Sequence, residues 1–202
     1  MSTNIKTQII EGGKKQFFKY GVKSVTVYDI TYALSISKKT FYLHFKNKEE
    51  LVKIIVKDFI QQIQTVEEKT MERPDIIDKI FTLYSLSLQQ FMLCNISFMY
   101  DINKYHPKAY NKIKLFLNGE FKDFLILLIR EGKAEGVFIN DISEDVIFAT
   151  HLKMFNNIIE RELFPDRILA DPIYNKIIKL SLIGISTLKG HKIIDEKFKK
   201  LK

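Results

Sequence analysis

Two short helical segments with almost nothing between them constrain this chain more than any other feature. Thr26, with Asp29 three residues on, has the form of a helix N-cap with its reciprocal carboxylate. Ser37 can cap a second segment, and only residues around Ser35 and Ile36 lie between the two. A joint that short leaves no room for a wandering loop. It predicts a helix-turn-helix.

The flanking sequence supports that reading. The spacing predicts a first helix over Ile5–Tyr20, stopped at Gly21, a residue suited to a C-cap. Asn47, with Glu50 three residues later, can cap the next helix. Ile9, Phe17, Val27, Ile30, Ile36, Phe41, Phe45 and Leu51 can then share one small core. In "SISKKTFYLHFKNKEEL", residues 35–51, Phe41 and Phe45 belong to that core, which leaves Lys38, Lys39, Thr40, Tyr42 and His44 for the outer face. The first fifty residues carry nine lysines against four carboxylates, so the basic charge is concentrated here and favours an anionic partner.

The rest of the chain reads as longer helices over about 48–72, 74–94, 107–130, 143–163 and 172–188, giving an all-α fold. "GKAEGVFIND" is a turn segment, and its "GVFIND" is the nearest approach to a strand pattern. "FPDRILADP" is a loop, and "EKFKKLK" is a fraying basic helix end. No apolar run approaches the ~20 residues of a membrane span, and "MSTNIKTQIIEGG" lacks the apolar core of a signal peptide. We therefore expect a cytoplasmic protein without a membrane partner. Cys94 is the only cysteine and reads as a small buried hydrophobe. His106, His151 and His191 show no metal-ligand spacing, and no catalytic triad or carboxylate pair can be placed. We expect no enzyme activity, no cofactor and no metal centre.

"IIEGGKKQFFKYGVKSVTVYDITYALSISKKTFYLHFKNKEEL", residues 9–51, resembles the TetR family of one-component transcriptional regulators. Ile9, Phe17, Gly21, Thr26, Val27, Asp29, Ile30, Ser37, Thr40, Phe41, Tyr42, Phe45, Lys48, Glu49, Glu50 and Leu51 fall in register with the family pattern. "INKYHPKAYNKIK" and "LIREGKAEGVFINDISEDV" resemble the family's less regular sensor domain. Four features depart from the pattern. Gly12-Gly13 replaces Ala-Ala, which a close helix contact could explain; Thr31 replaces Ala; Ser35 replaces the turn glycine; Lys39 stands where glycine is common.

The resemblance implies a helix-turn-helix DNA-binding domain over 1–47 and a helical ligand-sensing and dimerisation domain over 48–202. It makes the helix from Ser37 to His44 the recognition helix, with its N-terminal part near base edges. Lys38 and Lys39 can then donate to guanine or to phosphate. Tyr42 matches a phosphate-contacting tyrosine, the alternative being surface packing. Lys48 matches a phosphate-contacting lysine at a helix N-terminus. His44, Tyr28 and Thr26 are further contact candidates, although Thr26 can be a cap alone. In the sensor domain, the implied apolar cavity makes Phe91, Met99, Tyr100, Phe121 and Phe124 lining candidates. The last two helices are apolar enough to pair with their copies in a homodimer, with Ile158 as an interface candidate. The implied function is a repressor of palindromic operators in double-stranded DNA, released by a small hydrophobic effector. Two other readings stay open: a helical ligand-binding protein or enzyme with a vestigial helix-turn-helix, and a sequence-indifferent DNA binder.

Overall fold

A computed structural model of the chain describes residues 4–159 and 171–199, and holds eleven α-helices among them. In order they are α1 (Ile5–Tyr20), α2 (Val27–Ala33), α3 (Lys38–His44), α4 (Lys48–Met71), α5 (Ile76–Met92), α6 (Ile96–Tyr105), α7 (Pro107–Asn118), α8 (Glu120–Ala134), α9 (Glu144–Ile159), α10 (Asp171–Ile183) and α11 (Leu188–Lys199). No described helix is long and apolar enough to cross a membrane. The helices form two compact units. The first takes the described residues up to Gln62 together with Met92–Phe116; the second takes Ile63–Phe91 and the described residues from Leu117 onward. The cut thus falls within α4 rather than at its start, and α6 and most of α7 join the N-terminal helices.

In the first unit the core is the expected one with additions. Ile9, Phe17, Ile30, Phe41, Phe45 and Leu51 are buried, as are Val22 and Val25 of the α1–α2 turn. Val27, which opens α2, and Ile36, in the turn between α2 and α3, are only half-buried. The glycine pair has a steric reason. A Cβ on Gly13 would stand 2.8 Å from Cδ2 of Leu51, and one on Gly12 the same distance from Cδ2 of Leu34. Helix α1 therefore presents a bare backbone to two neighbouring leucines. Phe18 meets Phe98 edge-on, with ring centroids 4.7 Å apart, and so packs α1 against α6.

Beyond the N-terminal helices, three boundaries depart from the sequence reading. The segment 107–130 is two helices, broken at Gly119, whose φ and ψ of −110° and −104° are non-helical. The segment 172–188 ends as a helix at Ile183, because the next residues pair with "GVFIND". Ile139 N–H donates to Ile185 at 2.9 Å and Thr187 N–H to Val137 at 2.9 Å, around a single antiparallel bridge between Phe138 and Ser186. Thr187 then caps a helix the sequence had offered only as a frayed end, its Oγ1 accepting from Gly190 N–H at 3.2 Å. Most of the predicted loop "FPDRILADP" and the side chain of Ile158 lie outside the described residues.

Candidate nucleic-acid interface

The geometry of the α2–α3 pair begins with its caps. Thr26 Oγ1 accepts from Asp29 N–H at 3.2 Å, and the Asp29 carboxylate accepts from Thr26 N–H at 2.7 Å, completing a capping box. The Thr26 hydroxyl also donates to that carboxylate at 2.7 Å, and this bond first, then the one from the Thr26 backbone, hold the Asp29 carboxyl below the usual carboxylate range. At the other end of α2, Ser35 N–H donates to Tyr32 at 3.1 Å and Ile36 N–H to Thr31 at 3.0 Å. That is a Schellman closure, and it requires a left-handed residue between helix and turn. Ser35 takes that conformation, with φ of 54°, where glycine would rest without strain. Ser37 Oγ then accepts from Thr40 N–H at 3.0 Å and starts α3.

What this construction leaves outside is mostly the expected set. Thr26, Tyr28, Ser37, Lys38, Lys39 and Tyr42 are exposed, while Thr40 and His44 are half-buried. Ser37 and Thr40 share a hydrogen bond through their hydroxyls at 2.9 Å. The Lys38 ammonium lies 5.3 Å from the centre of the Tyr28 ring. Tyr28 in turn stacks on Tyr32, with centroids 5.8 Å apart. Tyr32 was absent from the sequence-derived set although it is 75% exposed. The signal was available: it stands one helical turn from Tyr28 and on the same face.

Lys48 differs from the others. It is half-buried, and its Nζ donates to the carbonyl oxygens of Val22 and Val25, each at 2.8 Å. Burial lowers its pKa, with Asp101 and Asp29 acting against that shift. Asp101 of α6 works on the same turn, its Oδ2 accepting from Lys23 N–H at 2.7 Å. Gly21, with φ of +80°, leaves room for that carboxylate; a Cβ there would stand 2.7 Å from Asp101 Oδ2. The turn entering α2 is thus held from below by a lysine and an aspartate. A sequence reading has no access to this, because residue 101 lies far along the chain.

The second unit contains an enclosed, mainly apolar cavity of about 30 Å³ between α5, α8 and α9, closed by Leu117 of α7. Phe91 and Phe121 line it. Met99 and Tyr100 do not; they sit on α6 in the first unit, where Tyr100 is exposed and accepts a hydrogen bond from Lys104 at 2.9 Å. Phe124 is half-buried on α8 and also lies off the cavity wall, which α8 meets through Phe121 and Leu125. The wall instead includes Tyr84, Ser87 and Leu88 of α5 and Phe148, His151, Leu152, Phe155 and Asn156 of α9. Tyr84 and His151 are hydrogen-bonded to each other through the hydroxyl and Nδ1. Burial lowers the His151 pKa to about 4, against an opposing backbone hydrogen bond to Ser181, so the ring is neutral near pH 7.

Comparison with known proteins fits these features. Residues 9–55 match the family described as bacterial regulatory proteins, tetR family. The chain is 27% identical over 142 residues to the HTH-type transcriptional regulator YvaF of Bacillus subtilis, spanning 69% of this chain and 73% of that protein. It is 22% identical over 149 residues to the HTH-type transcriptional repressor KstR2 of Mycolicibacterium smegmatis, spanning 71% and 72%. The fold superposes on a TetR-family transcriptional regulator from Marinobacter aquaeolei with a TM-score of 0.81 and 14% identity, over 99% of this chain and 98% of that one. Residues 9–55 thus form a DNA-binding domain of the TetR family, and over most of its length the chain is similar to TetR-family transcriptional regulators.

Proposed function

We propose that this chain acts as a homodimeric repressor of a two-fold symmetric operator and is released by a small, largely hydrophobic effector. The observation that carries the DNA side is the outward set on α2 and α3: Thr26, Tyr28, Ser37, Lys38, Lys39, Thr40, Tyr42 and His44, grouped around a rigidly capped turn. Lys38 and Lys39 supply base-edge or phosphate donors, and Tyr28, Tyr42, Thr26 and His44 supply backbone contacts. Lys48 serves this surface by fixing the turn that presents Thr26. In this reading residues 1–47 read DNA, and 48–202 sense the effector and pair the subunits. The similarity to a protein named as a repressor supports the sign of regulation.

The effector side rests on the apolar cavity in the second unit. Pairing is supported by apolar side chains left outside on the same unit, among them Leu127 of α8, Val146 of α9 and Leu180 of α10, all more than half exposed. Selection of bound fragments from random duplex DNA tests the proposal. An inverted repeat with half-sites about one DNA turn apart, ~34 Å, is the expected product. Recovery of fragments without a shared motif would mean sequence-indifferent binding, and the proposal would fall.

A further inference from the structure

We infer that the cavity in the second unit selects a neutral ligand with one hydroxyl or carbonyl group, anchored by the hydroxyl of Ser87, and rejects the corresponding carboxylate. The inference rests on the sensor reading above and narrows it to a ligand class. Ser87 is 5% exposed, lines the cavity, and its Oγ has no hydrogen-bond partner in the protein. A buried hydroxyl left in that state is destabilising, and a ligand group that meets it recovers the loss. A site with such a group discriminates strongly, because a ligand lacking the matching polar atom leaves it unmet.

Among the polar neighbours, Asn156 adds an uncharged amide to the wall. Tyr84 and His151 satisfy one another, and the His151 ring also bonds to the backbone of Ser181. None of the described lining residues carries a formal charge at neutral pH, so a carboxylate would enter without a cation to pair with. An ammonium would likewise find no carboxylate. A hydroxyl can donate to or accept from Ser87, and a carbonyl can accept from it; both remain uncharged.

Two matched pairs of probes test this on the full chain by calorimetry at pH 7.4: 1-decanol against decanoate, and 2-naphthylmethanol against 2-naphthoate, with 2-methylnaphthalene as the hydrocarbon reference. In at least one pair the alcohol should bind tenfold or more tightly than the acid. Ser87→Ala should weaken that alcohol by about threefold to tenfold, leave 2-methylnaphthalene unchanged and not lower the melting temperature, since it removes an unmet buried hydroxyl. An acid that binds as well as its alcohol, or an alcohol indifferent to Ser87→Ala, overturns this inference and leaves the sensor reading intact. Failure of all five compounds to bind removes the cavity as a ligand site and overturns both.

Discussion

The ammonium of Lys48 donates a 2.8 Å hydrogen bond to the carbonyl oxygen of Val25, the residue before the α2 cap. A second bond of the same length reaches Val22, so two of its three N–H groups close the turn from the inside. Removing the side chain leaves two carbonyls unmet and frees the turn that positions Thr26. We expect Lys48→Ala to lower both melting temperature and DNA affinity, while the slope of log K against log salt stays unchanged within error. The slope counts neutralised phosphates. A decrease of about one unit would show instead that Lys48 contacts phosphate directly.

The two glycines of α1 should respond in opposite directions to the same substitution. Alanine favours helix over glycine by roughly 1 kcal/mol at either position. At Gly12 the new methyl meets Leu34, which is only half-buried and can turn outward. At Gly13 it meets Leu51, which is fully buried, with Ile55 next to it. Gly12→Ala should therefore be neutral or stabilising. Gly13→Ala should destabilise by about 1–2 kcal/mol, the scale of an overpacked core. Equal effects in urea unfolding would contradict the packing argument.

Lys38 and Lys39 are both exposed, but the Tyr28 ring restrains Lys38. A side chain already held near its bound position loses less freedom on binding. Replacing Lys38 by alanine should therefore relax preference at one operator position by ~1–3 kcal/mol. Lys39→Ala should weaken all sequences evenly. Tyr28→Ala should reproduce part of the Lys38 effect and Tyr28→Phe should not, because phenylalanine keeps the ring face. A binding-site profile that Lys38→Ala leaves unaltered would make it a phosphate contact.

The head of the molecule was readable from sequence because its determinants are local. Caps act over three residues, and the core positions of α1–α3 follow helical spacing, so Thr26, Asp29, Ser37, Phe41 and Phe45 could be assigned from their neighbours. The remainder depends on partners distant in sequence. Asp101 binds the turn at Lys23, and Ser186 pairs with Phe138 and thereby ends α10. Aromatic content alone could not separate Phe121, on the cavity wall, from Tyr100, on the surface of another unit. That distinction is a matter of which helix faces which.

Two groups of the second unit set opposite pH trends. The His151 pKa is about 4 in the fold because of burial, against an ordinary value of 6.5. Below pH 6.5 the unfolded chain binds a proton that the folded one does not, so stability falls as pH drops toward 4, by up to roughly 3 kcal/mol. The Glu67 carboxyl is pushed up from 4.5 to about 7 by burial and then by Glu120. The folded chain keeps that proton longer, so stability falls as pH rises from 4.5 toward 7. Its partial exposure reduces this to about 1–2 kcal/mol. Glu67→Gln should therefore stabilise at pH 7.5 and not at pH 4.5, and His151→Gln should flatten the acid limb. Chemical denaturation across pH 4–8 reads both.

The last prediction concerns the size of the cavity. At about 30 Å³ it admits little more than a water molecule, so an effector of drug-like size can enter only by moving side chains of α5, α8 and α9 apart. The liganded and unliganded states then differ in the packing of those helices, and a ligand shifts the balance only by its difference in affinity between them. Filling the cavity from within should imitate the effector. Leu152→Phe, on the α9 wall, should lower operator affinity with no ligand present, at a stability cost of about 1–3 kcal/mol. Phe121→Leu, which enlarges the space, should leave ligand-free operator binding near its original value while changing the response to effector. Linkage adds a quantitative check: whatever factor the effector takes from operator affinity, operator DNA must take from effector affinity, tenfold corresponding to ~1.4 kcal/mol. If a compound bound in the cavity leaves operator affinity untouched, and Leu152→Phe folds and binds operator as the unmodified chain does, then cavity occupancy is uncoupled from DNA binding and regulation must enter elsewhere.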